Sequence, residues 1–487
     1  MASRRDQLHS YQFMMQRVIS SVMVHEPDPE QTPLRRGTGA AFAGVMLAAL
    51  VAIGFGVYGV ISGNQANRWQ TEGAVIIERE TGAQYVYQGG VLQPVLNYTS
   101  ARLISQSLPA PPPQAGLLGI GGGVPTSQPQ RVASRNLAGI PRAVPVGIPN
   151  APDSLPPAER VVGAPWTMCS VLGRDPAGEP VTETTLLVGA EAPGGEPLGQ
   201  RALLVVDAEE GTRYLLWHSH RYRITGSDPD QVIRSLYGAT PETADVGAAW
   251  LNAIPSGPDI GPVGLSGVGV PSPAVAGRRV GDVVFHPVAG GEQYYLVRQD
   301  GLAPVTELQV LLLRGRYGID PEEIPAAEAN AAPASDALAP ADGGSAPPET
   351  PPEVLPAPVD GQLTLCAETT DARAPPLLYV GGDLAAESAL PTAGRSQAGT
   401  RLVDAVVVPP GRIAVVRAVP SEASPIGAYY LVSDLGLRFP VPSPEVLGML
   451  GYLPTHAVDM PAALVQRLPE GPTLTPEAAR QPVAPGQ

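Results

Sequence analysis

The sequence predicts a single-pass membrane protein. A cytoplasmic N-terminal amphipathic helix leads into one transmembrane helix. Beyond it lies an extracytoplasmic, β-rich α+β body of four small repeats around a disulfide-linked central core. Three observations carry this reading. Residues 40–61, AAFAGVMLAALVAIGFGVYGVI, hold no charge. A pattern of short apolar runs and tyrosine recurs four times beyond them. The only two cysteines, Cys169 and Cys366, both lie on the far side of the apolar stretch.

Residues 1–36 are the head. In RRDQLHSYQFMMQRVISSVMV, Leu8, Tyr11, Met15, Val18 and Val22 recur at three- and four-residue steps. That spacing places them on one face of a helix. So short a head has no core of its own, so this face is expected to dock on a cytosolic partner or on the inner membrane surface. The prolines of HEPDPEQTP end the helix.

Residues 37–62 are the span. Twenty-two helical residues reach about 33 Å, enough for a hydrocarbon core of about 30 Å. The apolar run is too long, and the leader too extended, for a cleaved signal peptide. Arginines 4, 5, 17, 35 and 36 precede it, and only Arg68 and Arg79 follow closely. The positive-inside rule then sets the N-terminus in the cytoplasm. Ala40, Gly44, Ala48, Ala52 and Gly56 form a small-residue stripe of the kind that packs helices in lipid, although alanine and glycine are abundant throughout.

The body is acidic. Of a net charge of −15, the first 36 residues carry +1, from five arginines against Asp6, Glu26, Asp28 and Glu30, leaving −16 for the rest. This excludes nucleic acid and anionic membrane surfaces as its natural partners. The four recurrences are 73–95, 201–224, 281–305 and 411–441. Tyr85, Tyr214, Tyr295 and Tyr430 share one place in it, and Pro94, Arg223, Pro304 and Pro440 another. Short β-branched runs between Gly- and Asp-rich turns read as small antiparallel units. Apolar stretches 232–236, 308–313 and 446–450 read as a covering helix after each later copy.

Domain boundaries follow. The first repeat occupies 63–106, and a Pro/Gly-rich extended connector 107–165. A central strand segment occupies 166–200. The second and third repeats occupy 201–250 and 281–324. A spacer at 325–358 has almost no apolar bulk and is expected to be disordered. A second central segment occupies 359–410, the fourth repeat 411–465 and a polar tail 466–487. The strand-like runs WTMCSVL and QLTLCA carry the cysteines. In an exported body such a pair reads as one disulfide, closing a loop of nearly 200 residues and contributing on the order of 4 kcal/mol. The alternative is two separate buried thiols.

Catalytic motifs are missing from the sequence. With no lysine at all, the chain has no GxxxxGK[ST] phosphate loop. The cluster 119–123, GIGGG, lacks the rest of a dinucleotide pattern, and HExxH, CxxC and GxSxG are absent. His218 and His220, two apart on an expected strand, face one way, but no third metal ligand accompanies them.

The head RRDQLHSYQFMMQRV, HEPDPEQTPLRR, the single span, GIPNAPD, APWTMCS, the four tyrosine repeats and LVQRLPEGPTLTPEAA together resemble the EccB family of the actinobacterial type VII (ESX) secretion system. The resemblance implies a membrane scaffold with an extracytoplasmic, disulfide-bonded body. Its implied partners are EccC, EccD, EccE and the mycosin protease, with self-association of the body and export of WXG-type proteins. It implies no cofactor. Because such proteins have also been labelled ATPases, ATP hydrolysis is the alternative function, and cell-wall binding by the β repeats is a third.

Overall fold

The structure is a computed structural model describing residues 3–25, 34–65, 69–109, 128–338, 345–357, 363–384, 389–420, 424 and 426–483. The Pro-rich lead 26–33 and the glycine cluster 119–123 lie outside these residues. Chain contacts define two compact units. One comprises residues 1–82, 87–92 and 110–141, and the other 83–86, 93–109 and 142–487.

The first unit contains the two N-terminal helices. The head helix runs Arg4–Val24, with a capping box between Ser3 and Asp6. The apolar helix runs Leu34–Gln65, ten residues longer than the 22-residue stretch read from the sequence. Polar backbone has no better partner than its own helix at either end of an apolar segment, so the helix continues into the flanks.

Four of the five sheets share one strand order: third, second, first, fourth. The first strands are Val75–Glu78, Leu203–Asp207, Val283–Val288 and Ile413–Val419. In three modules the register is the same. Tyr214 lies between Val205 and Arg223, Tyr295 between Val284 and Pro304, and Tyr430 between Val416 and Pro440. In the first sheet, bonds from Gly73 N to Tyr87 O and from Tyr87 N to Ala74 O match those joining Gly281, Val297 and Asp282 in the third.

A helix follows each third strand: Tyr98–Gln106, Pro229–Tyr237, Glu307–Tyr317 and Pro444–Leu450. The sequence reading passed over the first of these. Asn97, Asp228, Thr306 and Ser443 cap all four by accepting first-turn N–H groups. The chain then returns as a short fourth strand parallel to the first: Gln130–Val132, Ala244–Val246, Glu322–Glu323 or Val458–Pro461. A one- to two-turn helix follows, and a proline then closes the outer edge. Pro141, Pro255, Pro333 and Pro469 accept the N–H groups of Leu92, Arg221, Leu302 and Arg438. Each outer edge is thereby paired rather than left as a template for association.

The modules therefore extend past the boundaries read from the sequence, and three expectations are corrected. The connector 107–165 contributes the strand Gln130–Val132 and docks by its backbone, with Asn97 Nδ2 donating to Ile148 O at 2.8 Å and Thr99 Oγ1 to Pro152 O at 2.6 Å. The spacer 325–358, expected to be disordered, holds the helix Ala326–Ala331 and a strap bonded to other segments. Leu308 N donates to Glu349 O and Ala202 N to Glu353 O, at 2.9 and 2.8 Å. The tail 466–487 buries Leu468, Leu474 and Ala479. Composition misleads because backbone hydrogen bonds hold the connector and the spacer, and the few apolar residues of the spacer and the tail are nonetheless buried.

The fifth sheet is central. Its seven strands run Leu390–Pro391, Ala405–Val407, Pro180–Val188, Trp166–Arg174, Leu363–Thr369, Leu377–Val380 and Glu196–Pro197. Strands Trp166–Arg174 and Leu363–Thr369 are antiparallel neighbours, and Cys366 stands opposite Cys169. The two form a disulfide with Cα atoms 4.0 Å apart. The largest core cluster joins this sheet to the second and fourth modules through Trp166, Met168, Val205, Trp250, Val416 and Met460. Helix Pro229–Tyr237 packs on Glu307–Tyr317, and Tyr98–Gln106 on Pro444–Leu450.

Candidate functional site

Of the residues singled out in the sequence, those on the head helix and the apolar helix are exposed, whereas Cys169 and Cys366 are buried in their disulfide. On the head helix, Leu8, Tyr11, Met15, Val18 and Val22 are all exposed. At 100° per residue they share one side, but exposed Phe13 stands roughly opposite Val22, beneath the guanidinium of Arg17 at 5.6 Å. The apolar surface is therefore broader than the single face expected.

On the apolar helix, the window Gly37–Tyr58 is long and apolar enough to span a membrane, and none of it is buried. Cβ atoms added at Gly44 and Gly56 would meet nothing within 4 Å. Each four-residue step advances about 40°, so Ala40, Gly44, Ala48, Ala52 and Gly56 wind across roughly 160° of the helix rather than forming a straight groove.

In the body, the shared tyrosine of every module faces a basic side chain. Arg142 lies 5.4 Å from the Tyr85 ring, Arg221 5.5 Å from Tyr214 and Arg438 5.2 Å from Tyr430. In the third module His286 stacks on Tyr295 at 5.8 Å. These are cation–π or ring contacts of about 0.5–2 kcal/mol each, and they sit on the sheets as structural fastenings.

The histidine pair does not behave as the sequence led us to expect. His218 and Ser219 form the reversal between two strands, both with positive φ, and His220 opens the next strand. The two rings therefore do not share a strand face. His218 Nε2 meets Gln200 Oε1 at 2.7 Å, and His220 Nδ1 meets the His218 carbonyl at 2.9 Å. Among the described residues no group of three or more His, Cys, Asp or Glu converges as a metal site would require.

A cleft of about 480 Å³ is lined by Asp371, Arg373, Arg417, Tyr429 and Asp459 among others. Its carboxylates are already engaged. Asp459 takes a forked pair of bonds from Arg417 at 2.7 and 2.5 Å, and Asp371 accepts the N–H groups of Arg373 and Ala374. That ion pair, ahead of burial, raises Arg417 above the usual arginine value.

Comparison with known proteins settles the family. The family description "Type VII secretion system ESX-1, transport TM domain B" matches residues 1–483. The chain belongs to the EccB family. An "ESX-3 secretion system ATPase EccB3" of Mycolicibacterium smegmatis is 27% identical, over 97% of this chain and 89% of that one. The Mycobacterium tuberculosis protein of the same name is 30% identical over 65% of this chain and 57% of its own. Among solved structures, a chain of "an intact ESX-5 inner membrane complex" matches at TM-score 0.64 and 25% identity, covering 100% of this chain and 97% of that one. A chain of the "EccB3 dimer from the ESX-3 core complex" matches at TM-score 0.61 and 26% identity, covering 84% and 100%. This EccB chain thus matches, over its whole length, a chain seen inside an ESX inner membrane complex.

The closing proline is a structural feature of the modules that the sequence reading missed. Its signal was present as IPR at 140–142, IPSG at 254–257, APAS at 332–335 and LPEG at 468–471.

Proposed function

We propose that this chain is a structural subunit of the type VII secretion membrane complex. It scaffolds the channel and its extracytoplasmic assembly for export of WXG-type proteins. The carrying observation is the match of head, apolar helix and body together to one chain of an intact inner membrane complex. The apolar helix crosses the membrane once, with the N-terminus in the cytoplasm and the body outside. The exposed head helix docks on cytosolic parts of the machine, and the small-residue stripe packs against another membrane helix. EccC, EccD, EccE and the mycosin protease are the expected partners. The solved EccB3 dimer supports self-association through the body. The shared register of the modules supports their origin as diverged copies of one unit.

ATP hydrolysis is the competing reading, because the relatives' names include the word ATPase. This chain has no lysine for a phosphate loop. One experiment separates the two. The intact chain is solubilised from its native membrane and its companions are identified. A large assembly containing the other Ecc components supports the scaffold. A chain that always migrates alone refutes it, and protein-proportional ATP turnover by the lone chain establishes the alternative.

A further inference from the structure

The chain enters the first module almost directly from the apolar helix. That helix ends at Gln65, and Trp69 is already fixed in the module. Trp69 is 2% exposed, and its ring meets Tyr87 edge-on with centroids 5.7 Å apart. Four Cα steps separate Gln65 from Trp69, at most about 14 Å of extended chain. The three residues between, Ala66, Asn67 and Arg68, carry one charge, and it is positive. Past the apolar window, which closes at Tyr58, the helix rises about 10 Å to Gln65, slightly more than the depth of one headgroup layer. With the apolar helix across a bilayer, the module begins at the outer surface and has little length of chain with which to leave it.

The two ends of its sheet differ in chemistry. Gly73 N donates to Tyr87 O at 2.9 Å, and strand Gln130–Val132 pairs in parallel with Val75–Glu78 from Ile76 onward. The end by which the chain enters therefore also holds the turn at Gly89 and Gly90 and the approach to Gln130. Exposed on this near rim are Gln70, Gln88, Gly89, Gly90, Gln128 and Pro129. Its one charge among the described residues, Glu72, is folded back to accept Gly89 N at 3.0 Å. The far end, about 15 Å away along the strands, carries Arg79, Glu80 and Arg135, with Glu80 accepting Ser134 N at 2.8 Å.

The near rim exposes no large apolar side chain among the described residues, so it lacks the anchors that centre a protein interface. Its glutamine amides offer donors and acceptors to headgroup oxygens and to the water among them. A body of net charge −16 is repelled by anionic surfaces, and this rim is where exposed charge is missing.

We propose that the near rim rests on the headgroup layer of the outer leaflet and that Trp69 locks the first module to its membrane helix. The partner is a lipid surface, and the inference rests on the proposed crossing by the apolar helix. A tilt of that helix then passes into the first sheet instead of being absorbed by a loose linker.

The test uses the intact chain in phosphatidylcholine nanodiscs containing a nickel-chelating lipid. The two native cysteines are joined, so one nitroxide at a time is attached through Gln88→Cys, Arg79→Cys or Ala48→Cys. Headgroup nickel relaxes the Gln88 label severalfold faster than the Arg79 label, and the Ala48 label responds more to oxygen than to nickel. Adding Gln70→Glu and Gln128→Glu to the Gln88 label lowers the nickel effect in phosphatidylglycerol-rich nanodiscs at low salt and leaves it unchanged in phosphatidylcholine. Equal relaxation at Gln88 and Arg79, with the Ala48 label in lipid, overturns the seating and leaves the crossing intact. An Ala48 label that responds more to nickel than to oxygen overturns both. The glutamate variant relaxed equally in the two lipids also overturns the contact.

Discussion

Removing the disulfide by Cys169→Ala with Cys366→Ala should cost the body about 5 kcal/mol. The bond closes a loop with a sequence separation of 197 residues, and the chain-entropy relation gives about 5 kcal/mol for a loop of that size. Native contacts contribute little to this figure. The flanking strands are already registered from Leu363 against Leu172 to Thr369 against Trp166, so the pairing survives without the bond. Both cysteines are fully buried, and alanine leaves only small voids. The effect therefore acts through the unfolded chain, which regains the freedom of the second and third modules. Typical domain stabilities are about 5–15 kcal/mol, so the loss is a large fraction of the whole. Urea unfolding of the intact chain in detergent, followed by tryptophan fluorescence, measures it. Trp166 lies in the bonded strand, and Trp250 donates its indole N–H to Met168 O at 2.9 Å, so both report on this sheet. A fall in midpoint with a rise in m-value is expected. A loss below about 1 kcal/mol would refute the loop argument.

Three further perturbations discriminate among local contacts. Gly471→Ala should destabilise by about 1–3 kcal/mol, because its Cβ meets the Phe439 ring at 2.4 Å, whereas Gly448→Ala in an exposed helical position with nothing within 4 Å should stabilise by about 0.5–1 kcal/mol; thermal melts that rank them the other way would contradict the packing described. Gly315→Ala places a Cβ 2.0 Å from Ser235 Oγ and should loosen helix Pro229–Tyr237 from Glu307–Tyr317, seen as faster amide exchange in both helices; unchanged exchange would count against that contact. Burial pushes Tyr222 and Tyr237 each up to about 12, so both hold their protons more tightly folded than unfolded; stability is whole below pH 10 and falls as pH rises from about 10 through about 12, and circular dichroism unchanged across that window would exclude the effect.

The apolar span, the head helix and the first three strands of each module were legible because apolar bulk and turn residues mark them directly. The cysteine strands were legible for the same reason. The fourth strands were not. Glu322–Glu323 is two charged residues whose pairing with Val284 and Phe285 is a backbone matter, invisible to any hydropathy pattern. The strap 345–357 reads as disordered because it is mostly proline and polar residues, yet its carbonyls accept N–H groups from Leu308 and Ala202 and the hydroxyl of Tyr222, and its few apolar residues Val354, Leu355 and Ala357 pack into the core clusters. His218 and Ser219 hid a reversal that Gly89 and Gly90 announce openly in the first module, since non-glycine residues at positive φ carry no turn signature. The arginine–ring contacts were missed because Arg221 and Arg438 become equivalent only once the closing prolines are aligned.

The strap also explains why the disulfide sits where it does. The central sheet is interrupted after Glu196–Pro197, and the chain leaves it to build the second and third modules before re-entering at Leu363–Thr369. The third module has its own small cores, around Val284 and Val297 and around Leu296 and Leu313. It is tied to the second through the helix pair and a shared cluster that includes Leu236 and Leu308. The route back runs past Tyr222, then Leu308 and Ala202, and so touches both inserted modules on the way to the sheet. A long insertion costs the sheet mainly loop-closure entropy at the Trp166–Arg174 and Leu363–Thr369 pair, and that pair is the one joined by the bond. Cross-links between Trp166–Arg174 and Pro180–Val188, or between Leu363–Thr369 and Leu377–Val380, would close only short loops and leave the insertion's entropy unopposed. The placement of Cys169 and Cys366 thus follows from the insertion of two modules into one sheet. Grafting the pair onto Leu186 and Val406, neighbours in the same sheet, closes a loop that still contains both inserted modules and should restore most of the lost stability, measured by the same urea unfolding; no recovery would count against the loop argument.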